Sequence, residues 1–294
     1  MNYLSGSETQ ANVAVLWIVC RWLGANGPTS LPDLVVVLRP SALVPGADDA
    51  LRASLNVGVD IELLDLDGDI YSLGIDVQPA ATGNHRTFRG VVRTHLLARA
   101  VAAGKDASDV AVGLAWLLSM NPVTPPSWKW PETETWMIRD GLRDKYTFNE
   151  TKWRAFRRWA VDLGLAVEID PKRHSGPSLL SPDPTSAVAD ALSGMPKRLS
   201  ARSFVDQLAG QLPCLDGGAL EPILKSIPVK SGRHYAERAG ATVGPALGYA
   251  LARLQHRGAL RLVAADDAST RVSYILRGQT KVFDEVLIGD EDGV

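Results

Sequence analysis

Four cations crowd seven residues of this chain: Lys152, Arg154, Arg157 and Arg158. Among them Trp153, Phe156, Ala160 and Leu163 recur at i, i+3, i+7 and i+10, the period of a helix with one apolar face. A second set, Arg253, His256 and Arg257, shares a helical face near the carboxy terminus. Arg271 follows it, and Lys230, Arg233 and Arg238 precede it. Guanidinium donors suit phosphate oxygens and guanine edges, so the pattern points to contact with a polyanion. A solvated helix face accounts for the same pattern without a ligand. The expected nucleic-acid-binding residues are Lys152, Arg154, Arg157, Arg158, Arg233, Arg253, His256, Arg257 and Arg271.

The other chemistry-bearing residues do not assemble. The five histidines, His85, His95, His174, His234 and His256, show no pairing at metal-ligand spacing. Asp65, Asp67, Gly68 and Asp69 look like part of a calcium loop, but the closing glutamate is missing and a hairpin turn explains them better. Glu168, Asp170 and Lys172 alternate along a strand end without a partner acid. No lysine follows a phosphate-cradling glycine loop, and there is neither a nucleophile elbow nor a dinucleotide fingerprint. Cys20 and Cys214 sit among apolar residues, as buried reduced thiols do. A non-enzymatic protein with no cofactor and no metal is expected; a site shared with a partner chain is the alternative.

The elements that must position these side chains form one pattern, repeated three times along the chain. Each instance is an amphipathic helix, a glycine near its end, a short apolar strand, a polar turn and a second strand. The first runs over Asp48 to Val57, Gly58, Ile61 to Leu66, Asp67–Gly68 and Ile70 to Leu73. The second runs over Lys152 to Leu163, Gly164, Leu165 to Ile169, a polar excursion through Lys172, Arg173 and His174, and Ser178 to Leu180. The third runs over Ala246 to Arg257, Gly258, Leu260 to Val263, the turn Ala265 to Ser269, and Val272 to Leu276. Upstream of the first, Asn12 and Ser30 cap two further helices separated by Gly27–Pro28. Asp67–Gly68 between alternating apolar residues predicts a type I′ hairpin turn. Helix, glycine and hairpin are the carboxy-terminal half of a winged helix-turn-helix domain. The expected fold is therefore mainly α with small β-hairpins, an α+β chain of tandem winged helix-turn-helix domains.

The expected divisions are an acidic first unit (1–78), a linker with a helical pair and a Pro/Trp-rich arm (79–131), a second unit (132–186), a basic third unit (187–278) and an acidic tail (279–294). Four prolines between Asn121 and Pro131 predict an irregular arm whose tryptophans clamp a neighbouring module. Residues 1–80 hold three basic and ten acidic side chains, whereas residues 225–261 hold seven basic and one acidic. Opposite charge at the two ends predicts different partners for different modules. The first unit repels phosphate and suits a protein surface; the second and third suit DNA, bound weakly and largely without sequence preference. No window approaches the roughly 18 uncharged apolar residues of a membrane span. Val13 to Leu23 lacks a basic leader, so the chain is expected to be cytoplasmic.

Gly113–Leu114–Ala115–Trp116–Leu117–Leu118–Ser119–Met120–Asn121–Pro122, followed by Pro125–Pro126 and Trp128, resembles a segment of the DpdG family. Gly27–Pro28 and Leu31–Pro32–Asp33–Leu34 are consistent with that resemblance. It implies an accessory protein of bacterial gene clusters that place 7-deazaguanine derivatives in DNA and restrict foreign DNA, and it brings no catalytic residues. The expected function is a DNA-binding or adaptor subunit of such a multi-subunit assembly. The alternatives are a structural adaptor like the winged-helix partners of chromosome-organising complexes, and a dimeric transcriptional regulator.

Overall fold

A computed structural model describes residues 2–40, 49–169, 178–230, 241–264 and 271–289. In chain order the first elements are α1 (Val13–Asn26), β1 (Thr29–Ser30), α2 (Leu31–Leu38), α3 (Asp49–Asp60), β2 (Leu64–Asp67), β3 (Ile70–Leu73), α4 (Gln78–Thr82) and α5 (His85–Ala103). Then come α6 (Asp109–Leu118), α7 (Trp130–Arg139), α8 (Leu142–Tyr146), α9 (Glu150–Asp162), β4 (Ala166–Ile169) and β5 (Leu179–Pro182). The last are α10 (Thr185–Leu192), β6 (Arg198–Ser200), α11 (Ala201–Gln211), α12 (Leu220–Lys225), α13 (Pro245–His256), β7 (Leu260–Val263), β8 (Val272–Leu276), β9 (Gln279–Phe283) and β10 (Glu285–Ile288). The chain is mixed α+β with small antiparallel sheets.

Two compact units form, Met1–Val110 with Thr151–Leu163, and Ala111–Glu150 with Gly164–Val294. In the first, the Asn12 side chain accepts from Val15 N at 2.9 Å and the Ser30 hydroxyl from Asp33 N at 3.3 Å, so both helix starts hold the expected caps. Leu16, Val19, Cys20 and Leu23 of α1 are buried, as are Leu55 and Val57 of α3. The sheet runs β1-β3-β2. Its two-residue turn is Gly68–Asp69, because Asp67 pairs with Ile70. Gly68 has φ +63 while Asp69 is absent from the non-glycine residues of positive φ. That is the type II′ arrangement, glycine at the first central position, one residue later than the expected Asp67–Gly68 and of the other type.

The second unit repeats that strand order. Its sheet β6-β10-β7 places the carboxy-terminal strand between the other two. The Ser200 hydroxyl accepts from Ser203 N at 3.3 Å and starts α11. Two expectations are corrected here. Val272–Leu276 does not pair with β7; it pairs with β9, and β10 is the strand that pairs with β7. Residues 279–288, expected to open an acidic tail, are therefore two strands. Their acidic members have structural work: Asp284 is 4% exposed, its amide donates to Val263 O at 2.8 Å, and its carbonyl accepts from Ala201 N at 2.8 Å.

The proline-rich arm is also more regular than expected. Ser127 bridges Leu179, Trp128 N donates to Ser178 O at 2.8 Å, and Leu180 N donates to Pro126 O at 3.1 Å. Residues 126–128 thus lie as a short third strand beside β5, giving the order 127-β5-β4. Proline suits an edge, where no amide is needed on the outer side. Trp130 begins α7 with Pro131 in its first turn. Trp116 Nε1 donates to buried Asp140 Oδ2 at 2.8 Å, tying α6 to the end of α7.

Candidate nucleic-acid interface

On α9 the expected apolar face is present: Trp153, Phe156, Ala160 and Leu163 are all buried, joined by Trp159. The cations do not share one exposed stripe. Arg154 and Arg158 are exposed, Arg157 is half-buried, and Lys152 is 7% exposed. Arg158 donates to the carbonyl of Thr9. Lys152 is four residues before Phe156 and seven before Trp159, which is the apolar side of the helix. That spacing is the signal that marks it as interior. Its positive charge acts on Asp109, which is fully buried and accepts from Leu4 N. Burial pushes the Asp109 carboxyl up to about 6, against the opposing pull of Lys152 and of backbone donors.

On α13 the expected face forms. Arg253, His256 and Arg257 are exposed at i, i+3 and i+4, while Leu247, Ala250, Leu251 and Leu254 are buried. Arg253 is paired with Asp183, whose other oxygen accepts from Thr185 N at 3.1 Å. The first seven residues of the helix, Pro245–Leu251, hold no Arg, Lys, Asn or Gln. All its cations therefore lie in the last turns, where the negative end of the helix dipole also favours them. Arg261, exposed on β7, extends this group and was not among the expected residues.

The hairpin β8–β9 adds a third group. Residues 271–283 contain Arg271, Arg277 and Lys281 and no acid. Arg271 Nε donates to Asp284 Oδ1 at 3.3 Å at the base. Arg277 and Gly278 form the apex, both at positive φ (+51 and +77), so the type I′ turn occurs here. Tyr274 is buried, with its ring 6.1 Å from Phe283 edge-on. A Cβ on Gly248 would stand 3.1 Å from Tyr274, so that glycine lets α13 and the hairpin approach closely. The edge of β8 is held by Val243 N to Ser273 O and Ser273 N to Ala241 O, both 2.9 Å. Arg277 and Lys281, at the wing, are not among the expected residues because the strand was expected to end at Leu276 and residues 279–294 to form an acidic tail. Arg233 lies outside the described residues, as do the expected turn Ala265 to Ser269 and the expected excursion through Lys172, Arg173 and His174.

The described residues offer little else. No group of three or more His, Cys, Asp or Glu among them is placed to hold a metal. A shallow hollow lined by Tyr3, Arg99, Asp106 and Ser108 has its main polar groups engaged: Tyr3 donates to Asp60, and Arg99 Nη2 is 3.4 Å from Asp60 Oδ1. Cys20 and Cys214 are buried and unbridged, and burial pushes the Cys20 thiol up to about 12. Among the described residues no helix is long and apolar enough to cross a membrane.

The site is thus a basic helix end beside an acid-free hairpin, carried by an α+β chain of small repeated sheets. The model of the DpdG-like family matches residues 6–268, and the chain belongs to that family. No curated protein and no solved structure matches it.

Proposed function

We propose that the chain is a non-enzymatic DNA-contacting adaptor subunit of a bacterial assembly that modifies DNA with 7-deazapurines and restricts foreign DNA. Membership of the DpdG-like family associates it with that system. In this reading each small sheet with its helices is a winged helix-turn-helix domain. The supporting observation is the order shared by three of the four sheets, β1-β3-β2, 127-β5-β4 and β6-β10-β7, each with helices between its first strand and its last two. In the winged-helix arrangement α3 and α13 are the third helices of the first and third sheets, and β8–β9 is an enlarged wing.

The DNA-contacting module is the third. Arg257, His256, Arg261, Arg277 and Lys281 are exposed there, and phosphates are their natural counter-charges. The first module carries Asp65, Asp67 and Asp69 on an exposed hairpin beside exposed Leu66 and Ile70, which suits a protein partner and repels DNA. α9 contributes less than its sequence suggests, because Lys152 is interior and Arg157 half-buried. The test is electrophoretic mobility shift of duplex DNA by the full chain. Arg257→Ala with Arg261→Ala weakens binding several-fold in this reading, whereas Arg154→Ala changes it less than twofold. Equal effects at the two helices count against assigning the contact to the third module.

A further inference from the structure

We infer that the chain associates with a second copy of itself by strand pairing, the open edge of β2 in one copy adding to the open edge of β9 in the other. The inference names the occupant of the first module's acidic hairpin, which the reading above gives to a protein, and it requires no DNA.

An unpaired strand edge is a row of free amides and carbonyls that invites another strand. Two edges of the third module are covered. On β8, Ser273 N donates to Ala241 O and Ser273 O accepts from Val243 N. On β7, Leu262 N donates to Gln255 Oε1 at 3.0 Å. The outer edges of β2 and β9 have no such cover among the described residues.

The ladders define which groups are open. Leu31 N donates to Asp69 O and Thr29 pairs with Tyr71, so the Tyr71 backbone points away from β2. Bonding alternates along an antiparallel pair. Leu66, opposite Tyr71, therefore points its N–H and C=O outward, as does Leu64 two residues before it. Ser273 likewise bonds away from β9, so Val282 opposite it points outward, as does Thr280.

Antiparallel pairing that engages all four sets Leu64 against Val282 and Leu66 against Thr280. Asp65 then faces Lys281 in a non-hydrogen-bonded pair, the closer kind, with Cα atoms about 4.5 Å apart. Lys281 stands opposite Tyr274 on the packed side of its hairpin yet is exposed at the open edge. On the other side of the new ladder Leu66, Thr280 and Ile275 fall in one row, with Leu64, Val282 and Ser273 in the next. Leu66, Ile275 and Val282, which are 45%, 50% and 41% exposed, gain neighbours there.

Charge selects this pairing over the alternatives. The same open groups would pair β2 with β2 by setting Asp65 opposite Asp65, and β9 with β9 by setting Lys281 opposite Lys281. Like charges directly opposite are destabilising. The mixed pair sets opposite charges together, using a different patch on each copy. β4, another outer edge, offers one acid, Glu168, and runs into Lys172 and Arg173. The contact is small, so the association is weak and concentration-dependent.

The experiment is sedimentation velocity of the full chain without DNA, from about 1 to about 100 μM. The wild type should exceed the mass of one chain at the upper end and return toward it in about 1 M salt. Asp65→Lys and Lys281→Asp, both exposed, should each weaken association at least about fivefold with unchanged melting temperatures. An equimolar mixture of the two variants restores it, because Asp65 of one meets Lys281 of the other, and so does the double variant. Thr280→Pro, tolerated on an edge, removes one outward amide and no charge, and should also weaken association. A wild type at the mass of one chain throughout overturns the inference, as does association indifferent to these substitutions or not regained by the mixture and the double variant. The mobility-shift assay above, run at nanomolar protein, tests DNA contact separately.

Discussion

The amide of Leu4 donates to both carboxylate oxygens of Asp109, at 3.3 Å each, across more than a hundred residues of chain. Asp109 is fully buried, with its carboxyl raised to about 6 chiefly by desolvation. A raised carboxyl pKa means that the folded state holds its proton more tightly than the unfolded state does. The charged form therefore costs stability above the folded pKa, and the cost vanishes below the unfolded value. Between about pH 4 and pH 6 this group alone lowers stability by about 3 kcal/mol, at roughly 1.4 kcal/mol per unit. Asp109→Asn removes the titration. The stability difference between wild type and Asp109→Asn should change across that window and be flat above pH 7. A difference that is constant from pH 4 to pH 7 contradicts the assignment.

Trp153 and Arg154 are adjacent in sequence and opposite in environment, 0% exposed and exposed respectively. Trp153→Ala should cost about 3–5 kcal/mol, and Arg154→Ala about half a kcal/mol or less. Chemical denaturation of both variants checks this, and comparable losses would mean that the faces of α9 are misassigned.

Gly141 and Gly68 both have positive φ, +77 and +63, but only Gly141 is crowded, with Pro228 O 2.1 Å from where a Cβ would stand. Gly68→Ala should cost about 1 kcal/mol, the left-handed penalty alone. Gly141→Ala should cost at least about 2 kcal/mol more, because backbone must move. Melting temperatures order the two, and similar shifts would contradict the contact.

The chain's first unit includes Thr151–Leu163 as well as Met1–Val110, so charge and fold do not divide at the same place. Deleting residues 1–80 strips away Leu16, Leu55 and Leu64 from the core of that unit. Asp65→Asn, Asp67→Asn and Asp69→Asn together are the better separation. These exposed substitutions should leave melting within about 2 °C, reduce capture of protein partners and leave DNA affinity undiminished. Loss of DNA binding in this triple variant would reverse the division of labour.

The caps at Asn12 and Ser30 and the apolar face of α9 were legible because each rests on spacing within one turn or two. The carboxy-terminal sheet was not. Pairing β10 with β7 depends on residues more than twenty apart, and the acids at 284 and 285 look solvated until Arg271 and Arg198 are seen beside them. The strand at 126–128 was hidden by its prolines, which suit an edge as well as a loop. Lys152 was misread by weighing residue type over register. Arg277 was overlooked because an arginine before a glycine reads as an ordinary turn until its strands are paired.

The salt dependence of duplex binding tests the account most directly. Exposed Arg257, Arg261, Arg277 and Lys281, with partly engaged Arg253, imply four to five phosphate-neutralising contacts. The logarithm of the association constant should then fall linearly with the logarithm of salt, with a slope of about −4. Arg257→Ala should make that slope shallower by about one unit. A flat dependence, or a slope unchanged by Arg257→Ala, would contradict electrostatic DNA contact through the third module.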